Sequence, residues 1–100
     1  MIELGGNIEL VGFNDIEIQE LIVLKKIIGS YARKFSDNVK DYEKLTINLK
    51  QVGAKTSTKY EIQTKLMVKG KPINSDVTEN NLFVAIAESL KKLEAQVIKP

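Results

Sequence analysis

The feature that most constrains the fold is a change in the spacing of apolar residues at Lys44. From that position every second residue is apolar in residues 44–50, and the same alternation returns in residues 60–69 with Thr64 as its one polar member. Strict alternation predicts strands with one buried and one solvated face, as in antiparallel sheets. A short β-rich segment at residues 8–13 and another around residues 73–77, after the turn at residues 70–72, predict two more strands.

Two segments show helical spacing instead. The first follows Asn14, which is predicted to be its N-cap with Glu17 closing a capping box, and it ends at residues 36–38. Its apolar stripe consists of Leu21, Leu24, Ile28, Tyr31 and Phe35. The second helix is predicted to be capped by Thr78 or Asn80. Its apolar stripe consists of Leu82, Ile86, Leu90, Leu93 and Val97.

The order of these elements predicts a single α+β domain over residues 1–100. The order is βαβββα, with an antiparallel-rich sheet, and residues 1–6 form either an extra strand or a frayed end. Residues 53–58 are expected to be a loop. Because both helices need an apolar partner and the sheet offers one apolar face, both should pack on that face and leave the other open.

The positive charge is concentrated in one block, although the net charge of the chain is only +2. Residues 44–72 contain seven lysines against a single acid, Glu61, for a net charge of +6. The register places four strand lysines together on the open face: Lys44, Lys50, Lys65 and Lys69. This pattern has two interpretations, a surface that follows phosphates and lysines that keep strands from pairing with neighbours.

Composition excludes several kinds of chemistry. The chain contains no cysteine and no histidine, so the usual ligands of metal sites and the commonest general base are absent. We therefore expect no cofactor, no metal site and no enzymatic activity. No apolar run is long enough to cross a membrane, and the first ten residues lack the pattern of a signal peptide, so a cytoplasmic location is expected.

The last helix contains a distinctive set of residues, together with the stretch at residues 15–20 that begins the first helix. The positions in the last helix are Asn81, Leu82, Phe83, Ala85, Ile86, Lys92, Leu93, Gln96, Val97 and Lys99. This pattern resembles that of the short ribosome hibernation promoting factors, also called the protein Y or ribosome-associated inhibitor family. The resemblance covers most of residues 8–99.

The resemblance implies a fold akin to a double-stranded-RNA-binding domain. It also implies a non-catalytic factor that docks on the small ribosomal subunit, where messenger and transfer RNA would lie, and restrains translation as ribosomes hibernate under stress. By position, Lys92 and Lys99 would contact ribosomal RNA. General location adds the cations of the first helix as candidates: Lys25, Lys26, Arg33 and Lys34.

A second function class remains open from the sequence. An exposed strand edge could pair with another chain, which would make the domain a protein-interaction module or a homodimer without nucleic acid. Binding driven by phosphates should weaken steeply as salt rises, whereas strand addition should respond little.

Overall fold

The computed structural model describes the backbone of residues 2–4, 7–54 and 57–98 and the side chains of residues 7–53 and 58–98. Five strands and two helices follow one another along this part of the chain. They are β1 (Ile2–Leu4), β2 (Ile8–Val11), α1 (Ile18–Asn38), β3 (Tyr42–Ala54), β4 (Ser57–Val68), β5 (Lys71–Glu79) and α2 (Leu82–Val97).

The strands form one mixed sheet in the order β1-β2-β3-β4-β5. β2 and β3 are parallel, because α1 carries the chain back across the sheet between them, and all other neighbours are antiparallel. The predicted α+β class and βαβββα order are confirmed. Of the two alternatives for the first six residues, Ile2–Leu4 form the extra strand, and the remaining three lie outside the described residues.

The β3–β4 hairpin is longer than predicted. Its ladder continues from Lys50 paired with Glu61 to Ala54 paired with Ser57. The predicted loop at residues 53–58 is therefore wrong for residues 53, 54, 57 and 58. Residues 55 and 56 lie outside the described residues. Glycine and small polar residues suggested a loop, but cross-strand pairing outweighs local propensity here. Neither β2 nor β5 extends as far, so the hairpin projects beyond the sheet and the protein measures 43 × 23 × 21 Å.

Both helices pack on the same face of the sheet. The buried positions of α1 include Leu24, Ile28 and Phe35, and those of α2 include Leu90 and Leu93. They join the alternate residues of the strands in one core. The buried strand residues are Ile8, Leu10, Leu45, Ile47, Leu49, Ile62, Leu66 and Val77. The prediction that one sheet face is covered and the other open is therefore consistent with the burial pattern.

The predicted helix caps are wrong at both starts. Asn14 lies in a turn closed by the Ile16 amide donating to the Phe13 carbonyl at 3.2 Å, and α1 begins after Glu17, whose side chain forms no cap hydrogen bond. In α2 the N-cap is Asn81, whose side-chain oxygen accepts from the Val84 amide at 3.1 Å. Strand β5 runs further than expected, so Thr78 belongs to the ladder instead of the cap.

Two buried hydroxyl groups tie α2 to the sheet, and a third bonds within α2. Ser75 Oγ donates to the Ser89 carbonyl at 2.7 Å and lies 2.5 Å from Thr64 Oγ1. Because the Ser75 proton is directed at Ser89, Thr64 donates to Ser75. The Ser89 hydroxyl in turn donates to the Ile86 carbonyl at 3.0 Å. Since no buried side-chain polar atom of the described residues lacks a partner, burying these polar groups lowers the stability of the fold only slightly.

Gly12 is required where the chain leaves β2. Its φ of 85° lies in the left-handed region, and a Cβ atom at this position would overlap the Leu49 carbonyl oxygen. Gly29 is the opposite case, because it lies inside α1 with open space where its Cβ would be.

We expect Gly12→Ala to lower the free energy of unfolding by at least about 2 kcal/mol, because strain at φ and the overlap with Leu49 add together. Gly29→Ala is the matched control and should raise it by about 0.4–1 kcal/mol by restricting the unfolded chain. Urea unfolding measures both values. Equal stabilities for the two variants would contradict this account of Gly12.

The hydroxyl relay predicts non-additive mutations. Ser75→Ala should lower the free energy of unfolding by about 1–3 kcal/mol, because the Ser89 carbonyl loses its bond from Ser75 and the Thr64 hydroxyl keeps only the long bond to the Ser75 carbonyl, at 3.4 Å. The double variant Thr64→Val/Ser75→Ala should lower the free energy of unfolding by clearly less than the sum of the two single variants, since both single variants remove the same hydrogen bond. Urea unfolding of all four proteins measures the coupling, and simple additivity would show that the relay does not exist in solution.

Candidate nucleic-acid interface

The open face of the sheet is organised in rows that cross the strands. Residues paired in register share a face, so each outward position has outward neighbours from the adjacent strands. Three such rows cover the centre of the face: Thr46, Lys65 and Asn74; Asn48, Gln63 and Asp76; and Lys50, Glu61 and Thr78. The face is therefore polar but carries both signs of charge.

Two of the four predicted strand lysines are bound to acids. Lys44 Nζ lies 2.9 Å from Glu9 Oε2, on the strand beside it. Lys69 was expected on the open face, but it lies in the turn after β4 with φ at 55°, and its ammonium group is 3.9 Å from Asp41 Oδ2. The cause is a two-residue hairpin turn formed by Lys69 and Gly70, both with positive φ, because Val68 already pairs with Lys71. The predicted turn at residues 70–72 is therefore wrong, since β5 begins at Lys71. The proposed role of Lys69 in binding RNA remains a prediction.

The other two strand lysines point outward as predicted. Lys50 and Lys65 are both exposed, with Lys50 opposite Glu61 and Lys65 between Thr46 and Asn74. Together with Glu9 and Asp76, which also lie on this face, Glu61 offsets most of its positive charge. Sequence reasoning overlooked Glu9 and Asp76 because they are remote from the lysine block along the chain.

The cations of α1 have a different environment. Lys25, Lys26 and Arg33 are exposed, and none of them forms a salt bridge to another described residue. Lys34 instead faces α2, where its Nζ is 3.3 Å from Glu94 Oε2 and 5.3 Å from the centre of the Tyr31 ring. The outer side of α1 thus presents three cations that are unpaired among the described residues and lie within about 12 Å, the length of eight helical residues.

Lys92 contacts the backbone of the sheet. Its Nζ donates to the Asp76 carbonyl at 3.3 Å, and Gln96 Nε2 donates to the Asn74 carbonyl at 3.1 Å. Both carbonyls lie on the outer edge of β5, where Pro72 also lacks an N–H group. This edge is therefore protected against pairing with another strand. Lys99 lies outside the described residues.

The acidic residues of the described part of the chain form no group that could hold a metal ion. None of the helices in this part is long and apolar enough to span a membrane. Burial raises the pKa of the Tyr42 phenol, which keeps it protonated as a donor, and its oxygen lies 3.5 Å from the Asn7 carbonyl oxygen. This group belongs to the packing of β3 against the start of β2.

A solved structure shares this fold, in which one mixed sheet carries two helices on one face in the order βαβββα. The fold is similar to that of the N-terminal domain of Protein Y from Thermus thermophilus, with a TM-score of 0.54 and 20% sequence identity over 89% of this chain and 90% of that one. No protein-family model matches the chain, and no curated protein matches it in sequence. The resemblance inferred from the last helix is thus supported at the level of the fold.

The protected edge yields a prediction. Lys92→Ala/Gln96→Ala removes both hydrogen bonds to β5, so we expect the variant to associate with itself, seen as a larger sedimentation coefficient that rises with protein concentration. Glu88→Ala/Lys91→Ala is the matched control, because it also changes two exposed residues of α2 but no contact with β5. Identical sedimentation of the two variants would show that α2 does not protect this edge.

Proposed function

We propose that this protein is a non-catalytic factor that binds ribosomal RNA on the small ribosomal subunit and restrains translation. The observation that carries the proposal is the likeness of its fold to the N-terminal domain of Protein Y over almost the full length of both chains. The family resemblance of residues 81–99 points to the same role. A factor of this kind would act in the cytoplasm and take part in the hibernation of idle ribosomes.

The outer side of α1 is the proposed docking surface. Lys25, Lys26 and Arg33 are exposed and unpaired among the described residues, so their charges are fully available to phosphates. On the open sheet face, by contrast, the Lys44 ammonium group would first have to break its salt bridge to Glu9. Lys50 lies opposite the acid Glu61. This ordering reverses the expectation from the sequence, in which the strand lysines came first.

The chemistry of these cations predicts the mode of binding. Arg33 is the only arginine of the chain, so the surface offers mainly compact ammonium charges and a single planar fork. Such groups bind the sugar–phosphate backbone without distinguishing bases, and each neutralised phosphate releases counterions. Binding through α1 should therefore depend on the shape of folded RNA and weaken steeply with salt.

A comparison of two variants with matched loss of charge tests the surface. One replaces four α1 cations with glutamine: Lys25, Lys26, Arg33 and Lys34. The other replaces the four strand lysines with glutamine: Lys44, Lys50, Lys65 and Lys69. Co-sedimentation with small ribosomal subunits at physiological salt should fall at least about tenfold for the α1 variant and clearly less for the strand variant, because several phosphate contacts are lost only in the first.

The same assay separates the alternatives. Greater loss for the strand variant would move the docking surface to the sheet. Failure of the unmodified protein to co-sediment with subunits, or to lower the yield of a cell-free translation reaction, would refute the proposed function. Co-sedimentation that is insensitive to salt would favour a protein contact such as strand addition, for which β1 offers the edge that α2 does not cover.

A further inference from the structure

The centre of the open sheet face holds three carboxamide groups that have no hydrogen-bond partner among the described residues. Asn48, Gln63 and Asn74 form no side-chain hydrogen bond to any described residue. Together with Lys65 and Asp76 they line a shallow cavity of about 400 Å³. A second cavity of about 240 Å³ shares Asn48 and Gln63 and reaches Lys50. The two cavities therefore adjoin along the middle row of the face.

These residues are poor choices for the interior of a sheet. Asn and Asp are depleted in strands, yet Asn48 lies in the middle of β3, and Asn74 and Asp76 lie in the middle of β5. The fold does not use their side chains, since none contacts another described residue through a hydrogen bond or salt bridge. Local choices that conflict with the element they occupy are expected at functional sites.

The arrangement fits one class of ligand. A carboxamide presents a donor and an acceptor side by side, which matches the edge of a nucleobase, and a carboxylate accepts from an exocyclic amino group. The cluster measures about 7 by 10 Å, from two residue rises along a strand and two strand spacings across the sheet, so it accommodates a single base. Lys65 and Lys50 flank it at positions where the phosphates of a strand would pass.

We propose that the open face is a binding site for an unpaired nucleotide of RNA that recognises bases with an exocyclic amino group. Gln63 and Asn48 bind the Watson–Crick edge, which only an unpaired base exposes, while Asp76 accepts from the amino group. Uracil, which has no amino group, is disfavoured. The site rests on the proposed function for its choice of nucleic acid as ligand, but it lies on the face of the sheet opposite α1.

Short labelled RNA oligomers test this site without ribosomes. In fluorescence anisotropy at low salt, oligo-A and oligo-C should bind about fivefold or more tightly than oligo-U, the discrimination expected for one partly solvated base contact. Asp76→Ala should remove this preference, because it removes the acceptor for the amino group. Lys65→Gln should weaken binding of all oligomers alike and reduce the slope of log affinity against log salt by about 0.7.

Glu79→Ala is the matched control, because it removes an acid from the same strand, β5, on its other face and so causes the same change of charge. It should leave the preference unchanged. Equal affinity for all oligomers, no measurable binding, or a preference that survives Asp76→Ala would overturn the proposal. These results are independent of co-sedimentation with subunits, so failure of the site and failure of the proposed function can be told apart.

Discussion

Pairing of β3 with strands on both sides is the constraint on which the rest of the structure depends. Its parallel partner β2 requires a crossing connection, which α1 supplies, and its antiparallel partner β4 leads directly to β5 and α2. The alternation of Leu45, Ile47 and Leu49 then decides which face both helices cover. Because side chains alternate strictly across a strand, the same register fixes the composition of the face left open.

That register also explains why charge counted along the chain differs from charge on the surface. The lysine block is contiguous in sequence, but a sheet gives each of its strands neighbours from distant segments. Glu9 reaches Lys44 from β2, and Asp76 lies beside Gln63 from β5. Lysines of the block are thus divided between ion pairs, a turn and a mixed polar face. Meanwhile Lys25, Lys26 and Arg33, which are unremarkable in a charge count, remain unpaired among the described residues because α1 turns them away from the sheet.

The sequence predicts what depends on periodicity and misses what depends on tertiary pairing. The apolar stripes through Leu24 and Leu90 identify both helices, and alternation identifies the strands, since each pattern follows directly from the geometry of its element. The caps were wrong because Asn14 is used by a turn and Thr78 by a strand. The open face was predicted, but the role of Lys92 at the β5 edge was not, because a side chain that bonds to a distant backbone leaves no local signal.

The two proposed surfaces have opposite chemistry, and this difference fits a protein that lies between two RNA elements. The outer side of α1 offers positive charge without directed pairs of donors and acceptors, which suits the backbone of folded RNA. The open face offers directed donors and acceptors with little net charge, which suits a single exposed base. Since the helices and the open face lie on opposite sides of one sheet, neither RNA element needs to bend around the protein. If the protein docks as proposed, a groove of folded RNA that holds a single strand would present both ligands at once, a folded backbone to α1 and an unpaired base to the open face.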